Sequence, residues 1–166
     1  IYSNYSNDSW KSILSYKYEK SIVTQSFSKS HSMTGYRIGY VVSSKEIINE
    51  LTKLQALCLT NVSEPIQFIA MNSINDDVST NSDLINERLE VLIQSCKKIG
   101  LEFIIPNGAM YVFAKINNKK INTTVLAHKL LEYGLAIAPG EAFGDYDEFF
   151  RISACVKKED IIEGLN

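Results

Sequence analysis

Residues 26–39 read SFSKSHSMTGYRIG. Lys29 stands in a hydroxyl-rich stretch with Ser26 and Ser28 before it, and Arg37 follows eight residues later. A guanidinium fork beside a serine hydroxyl makes a phosphate clamp, because the fork binds two oxygens at once. A turn at Thr34-Gly35 would return Arg37 toward Ser26. A lysine that is partly desolvated beside a cation is held more readily as the neutral amine. A neutral lysine amine condenses with carbonyl compounds. The chemistry suggested is therefore carbonyl condensation next to a phosphate grip. The simpler alternative is a solvated loop with an exposed lysine.

The bulk properties set the frame. The chain has 166 residues, 45% hydrophobic and 22% charged, which are ordinary values for a globular protein able to bury a core. Net charge is −2, so no strong field favours nucleic acid or an anionic membrane as partner. No apolar run is long enough to span a bilayer, and no signal-peptide pattern occurs. Cys58, Cys96 and Cys155 are far apart and show no metal-ligand spacing. They are expected to be free thiols, which fits a reducing, cytoplasmic compartment. His31 and His128 read as ordinary loop and helix-surface residues.

The elements around Lys29 are two runs of strand formers, residues 22–27 and 36–42. SSKE at 43–46 matches a capping box. Ile47, Ile48, Leu51, Leu54 and Leu57 follow at helical spacing. Pro65 opens a second helix carrying Ile66, Ile69, Ala70 and Ile74. The polar stretch NDDVSTNSD at 75–83 marks a domain boundary, giving expected domains 1–75 and 76–166. The clearest amphipathic helix then runs from Leu84 to Ile99, closed by Gly100. Strands are expected at 101–105, 109–116, 135–138 and 149–154. A helix capped by Asn122 should carry Val125, Leu126, Leu130 and Tyr133 on one face and end at Gly134, and a last helix starts near Lys158. This order implies an α/β piece followed by a small α+β domain.

The pattern S-x-S-K-x5-G-x-R-x-G at 26–39 resembles the lysine signature of class I/II aminotransferases, the aspartate aminotransferase-like branch of fold type I pyridoxal-phosphate enzymes. Other pieces resemble the family in the same order: Ile1-Tyr2, PNGAMYVF at 106–113, APGEAFG at 138–144 and FRISAC at 150–155. The resemblance covers the whole chain. It implies an α/β fold that comprises the end of the cofactor-binding large domain (1–75) and a small α+β C-terminal domain (76–166). It implies pyridoxal 5′-phosphate as cofactor, with Lys29 holding it covalently and moving the substrate proton. Ser26 and Arg37 would bind its phosphate, Tyr2 its 3′-oxygen, and Arg151 the substrate α-carboxylate. The substrates would be an amino acid and a 2-oxo acid, no metal is required, and the full-length protein would be a homodimer.

The chain opens at Ile1 in a strand-like run, and it is expected to be the later part of a longer protein. The family's pyridinium-binding aspartate would precede Ile1, so the segment alone is expected to be inactive or nearly so. Two local departures are Tyr146, where the family usually has glycine, and Ala114, where proline is frequent. The arginines are Arg37, Arg88 and Arg151, so a second carboxylate clamp would need a lysine or a residue from elsewhere. A pyridoxal-phosphate lyase of the same fold and a non-catalytic interaction domain are the alternatives.

Overall fold

The computed structural model describes residues 2–6, 10–116 and 121–166. Ile1, the first residue of the Ile1-Tyr2 pair, lies outside the described residues. The chain divides into two compact units, Ile1–Ser82 and Asp83–Asn166. This division falls inside a helix, at the end of the polar stretch 75–83.

The first unit is built on a two-stranded antiparallel ribbon, β1 (Val23–Ser26) and β2 (Gly39–Val42). Val23 pairs with Val42 at one end and Ser26 with Gly39 at the other. β-branched and aromatic residues favour this pleated pairing. β2 is shorter than the expected run from Tyr36. Thr34–Tyr36 winds into a 3-10 turn, and Arg37 takes φ 52°, in the left-handed region. A residue in that region reverses the chain rather than extending it. The N-terminal stretch is also not a strand: Ser3–Tyr5 forms a 3-10 turn.

A four-residue helix, α1 (Phe27–Ser30), follows β1 directly. α2 spans Lys45–Leu59 and α3 spans Glu64–Ser73, with Pro65 in its first turn. α2 is capped by Ser44, not Ser43: Ser44 Oγ accepts from the Ile47 N–H, while the Ser43 hydroxyl donates to Ser21 O at 2.7 Å. Ser43 is engaged elsewhere, which shifts the cap by one residue. The small core consists of Phe27, Met33, Ile38 and Ala70, with Val62 and Ile66 packed against them. Leu54 and Leu57, though at helical spacing with Ile47, Ile48 and Leu51, are exposed, and Leu57 is 84% accessible.

The division between the units falls in α4 (Ser79–Lys98). In the second unit, a four-stranded antiparallel sheet has the order β3-β4-β6-β5, with β3 at Glu102–Phe103, β4 at Tyr111–Lys115, β5 at Ala138–Pro139 and β6 at Phe149–Ser153. Burial alternates along β4 and β6, so Val112, Ala114, Phe150 and Ile152 face the core. From α4, Leu89, Leu92, Ile93 and Cys96 cover that face at helical spacing. The edge strands are shorter than expected, and Ile104 is 91% exposed. Pro139 sits on the edge strand β5, where its missing N–H costs no ladder bond.

α5 (Thr123–Glu132) is capped by Asn122, whose Oδ1 accepts from the N–H groups of Thr124 and Val125. Its buried residues are Thr123 and Ala127. Val125 and Tyr133, expected on one apolar face, are exposed. The Thr123 hydroxyl is fully buried and donates to Asp147 O at 2.8 Å, which fixes the inward face. Gly100 and Gly134 end α4 and α5 with φ of 74° and 81°, and α6 (Lys158–Gly164) closes the chain.

Candidate active site

Lys29 lies in the last turn of α1, immediately after the ribbon strand β1. Ser26 is the N-cap of that helix: its Oγ accepts from the Ser28 N–H at 3.1 Å and donates to Ser28 Oγ at 2.9 Å. The two serines of the S-x-S-K pattern therefore form one hydroxyl pair at the start of the lysine turn. Lys29 and both serines are half-buried. Phe27 points into the core, so the turn is anchored through its apolar residue while the polar side chains stay accessible.

The chain returns as the spacing suggests. Phe27 N–H donates to Ile38 O, and Ser26 lies opposite Gly39 in the ribbon register. Arg37 is thus brought back to the Ser26 end of the ribbon. Its guanidinium is exposed and donates one hydrogen bond, Nη1 to Thr34 O at 2.7 Å. The fork has further N–H groups for an anion. A Cβ on Gly39 would lie 2.4 Å from Gln25 O, so this return requires glycine at that position.

Tyr2 caps the 3-10 turn Ser3–Tyr5, and its ring meets Tyr5 edge-on with centroids 6.2 Å apart. Tyr5 is buried and donates its hydroxyl to Lys29 O at 2.9 Å. Tyr2 is in this way tied to the lysine turn through its neighbour. His31 also has a local task. Its Nε2 lies 3.0 Å from Ser73 O, and its Nδ1 lies 2.8 Å from Ser30 Oγ. A carbonyl can only accept, so Nε2 donates and Nδ1 accepts from the serine in the neutral ring.

In the second unit Arg151 lies on β6, in register with Phe113 of β4 and Ala138 of β5. Its guanidinium is set between two rings, 4.3 Å from the Tyr111 centroid and 4.7 Å from that of Phe143. Such stacking holds a planar cation in one orientation. Phe143 belongs to the PGEAFG stretch and Tyr111 to the AMYVF stretch, so both motifs serve Arg151. Tyr146 packs edge-on against Phe113 and Phe149, joining an aromatic cluster. In the same stretch, a Cβ on Gly140 would come within 2.0 Å of Tyr146 O.

Sequence reasoning missed Tyr5, Asn81, Tyr111 and Phe143. The two rings were legible in part, since both lie in quoted motifs. Tyr5 and Asn81 reach the lysine turn from 24 and 51 residues away, a distance no local pattern spans. Among the described residues no group of His, Cys, Asp and Glu could hold a metal, and no helix is long and apolar enough to cross a membrane. The three cysteines are free, Cys58 and Cys155 exposed and Cys96 buried.

Comparison with known proteins bears on this arrangement. The family model described as aminotransferase class I and II matches residues 1–166. The aspartate aminotransferase of Pyrococcus horikoshii is 33% identical over 156 residues, covering 89% of this chain and 40% of the relative. The LL-diaminopimelate aminotransferase of Aquifex aeolicus is 30% identical over 142 residues, covering 83% of this chain and 37% of the relative. The crystal structure of the Thermotoga maritima aspartate aminotransferase superposes with a TM-score of 0.89 at 30% identity, over 99% of this chain and 44% of that one. The chain thus spans about two fifths of the length of the curated relatives it matches.

Proposed function

The chain belongs to the class I and II aminotransferases, and from that premise we propose that it is part of a pyridoxal-phosphate-dependent enzyme moving an amino group between an amino acid and a 2-oxo acid. The observation that carries this reading is the pairing of Ser26 with Gly39. It returns Arg37 to the end of the ribbon from which Lys29 projects.

The donor set suits a phosphate ester bearing an aldehyde. The Ser26 and Ser28 hydroxyls and the Arg37 guanidinium are hydrogen-bond donors for phosphate oxygens, and the Lys29 amine is the nucleophile for the aldehyde. When bound, pyridoxal phosphate supplies that aldehyde and a ring that withdraws electrons from the substrate α-carbon. Lys29 would hold the cofactor through its amine and, when free, would move the proton at the substrate α-carbon. Ser26 and Arg37 would hold the phosphate. Tyr2 would donate to the 3′-oxygen. Arg151 would pair with the substrate α-carboxylate, in the orientation that its two flanking rings maintain.

We read the first part of the chain, expected as 1–75, as the end of a cofactor-binding large domain and 76–166 as a small C-terminal domain. The intact protein is taken as a cytoplasmic homodimer, a reading that rests on the family and on the unpaired thiols. Aspartate and diaminopimelate are substrates named for relatives, and either class of dicarboxylic amino acid is a starting point for assay.

Borohydride reduction of the full-length protein with pyridoxal 5′-phosphate should attach the cofactor to Lys29. Lys29→Ala should abolish the label and lower turnover by at least about a thousandfold. Amino-group transfer that depends on an added 2-oxo acid supports the aminotransferase. Release of ammonia without oxo-acid dependence favours a lyase, and no label favours a non-catalytic domain.

A further inference from the structure

α1 has only four residues, so its last carbonyls have few helical partners. Three successive carbonyls of the lysine turn are instead each met by a side-chain donor from another part of the first unit. Thr34 Oγ1 donates to Ser28 O at 2.9 Å. Tyr5 Oη donates to Lys29 O at 2.9 Å. Asn81 Nδ2, from the first turn of α4, donates to Ser30 O at 3.0 Å. The Ser28 and Lys29 carbonyls belong to the two peptide planes that flank the Lys29 α-carbon. Each plane is rigid, so fixing both fixes φ and ψ of Lys29 and hence the direction in which its side chain leaves the backbone. The third bond holds the next plane, and the His31 link to Ser73 O secures the residue after it.

We propose that Tyr5, Thr34 and Asn81 are positioning residues that aim the Lys29 amine by clamping three consecutive carbonyls of its turn. This rests on the reading of Lys29 as the cofactor-binding amine and extends it to Tyr5 and Asn81, outside the lysine signature, and to Thr34, at one of its unspecified positions. A loosened turn lets the amine sample solvent-facing directions. Both cofactor affinity and the pH midpoint of the bound cofactor's absorbance should then drift toward those of the cofactor held on an unconstrained lysine side chain.

The test uses the full-length protein carrying Tyr5→Phe, Asn81→Ala, Thr34→Val or Thr34→Ser. Pyridoxal 5′-phosphate binding is followed by visible absorbance against pH, with borohydride labelling of Lys29. Tyr5→Phe and Asn81→Ala should each weaken binding about tenfold and move the absorbance midpoint by about 0.5 pH unit or more. Thr34→Val should do the same and Thr34→Ser should restore both. Ile93→Val, a core change in the second unit, should leave the midpoint in place, which separates aiming from general destabilisation. Label at Lys29 with an unmoved midpoint in Tyr5→Phe and Asn81→Ala overturns the proposal and leaves the proposed function standing. Absence of label in the unsubstituted protein overturns the proposed function. The clamp is then judged by hydrogen exchange of the His31 and Ser32 amides, which donate to Phe27 O and Lys29 O. Acceleration of about tenfold in the variants supports it, and less than about twofold overturns it.

Discussion

Cys96 shows how one side chain reports on the packing of its unit. It has no exposed surface within the core formed by α4, β4 and β6, and burial pushes its thiol from about 9 up to about 11. Desolvation disfavours the thiolate, so the folded state keeps the proton over a range where the unfolded chain has lost it. The stabilisation is complete below about pH 9 and is lost as pH rises toward about 11. Urea unfolding from pH 8 to 11 should therefore show a decline in stability on the order of 2 kcal/mol from this residue, and Cys96→Ala should flatten it. An identical slope in both proteins contradicts the assignment. Ser26, Lys29 and Arg37 stand out by type and spacing, because a nucleophile and its clamp form a local pattern, while Arg151 is singled out only by the family resemblance. Tyr5 and Asn81 do not stand out, because a carbonyl acceptor leaves no mark in the side-chain sequence.

At the level of the elements, two glycines, one in each unit, stand where the backbone passes too close for a side chain. Gly39 faces Gln25 O and Gly140 faces Tyr146 O and Phe149 O, with no room for a methyl group in either place. Gly39→Ala should cost on the order of 1–3 kcal/mol, and Gly140→Ala at least as much, since relief in both requires backbone movement. Gly35 has nothing near its Cβ position, so Gly35→Ala should stay within about 0.5 kcal/mol. Denaturant midpoints of the three variants check this, and a Gly39→Ala protein as stable as Gly35→Ala contradicts it. The existence and order of α2 to α6 and of the β4 and β6 strands were legible in the sequence, while the four-residue α1 was expected as loop. Their ends and faces were less so. The left-handed Arg37 shortens β2, and the buried Thr123 hydroxyl turns α5 so that Val125 and Tyr133 face outward. Neither effect is encoded in apolar spacing.

For the molecule as a whole, the first unit presents many uncovered apolar side chains. Val41, Val42, Leu54, Leu57, Leu59, Phe68 and Met71 are all exposed, and β1 and β2 form a sheet of only two strands. Scattered exposed apolar residues are normal, but a concentration of this kind is not. The 166-residue chain should bind the dye ANS strongly and self-associate at micromolar concentration, while Leu57→Lys with Phe68→Lys should reduce both. Weak dye binding and a monomeric sedimentation profile would argue against it. The polar stretch at 75–83 suggested a boundary after residue 75, and the two compact units divide between Ser82 and Asp83, within α4, where helical hydrogen bonding runs through the boundary.

The fastening of the lysine turn limits what can be transplanted. A short peptide carrying Ser26 to Arg37, grafted into a foreign scaffold, would bring the amine, the guanidinium and one of the three donors. The other two come from 24 and 51 residues away along the chain. An engineer seeking a portable carbonyl-reactive lysine would have to move a tyrosine hydroxyl and a carboxamide with it, each supported by its own backbone.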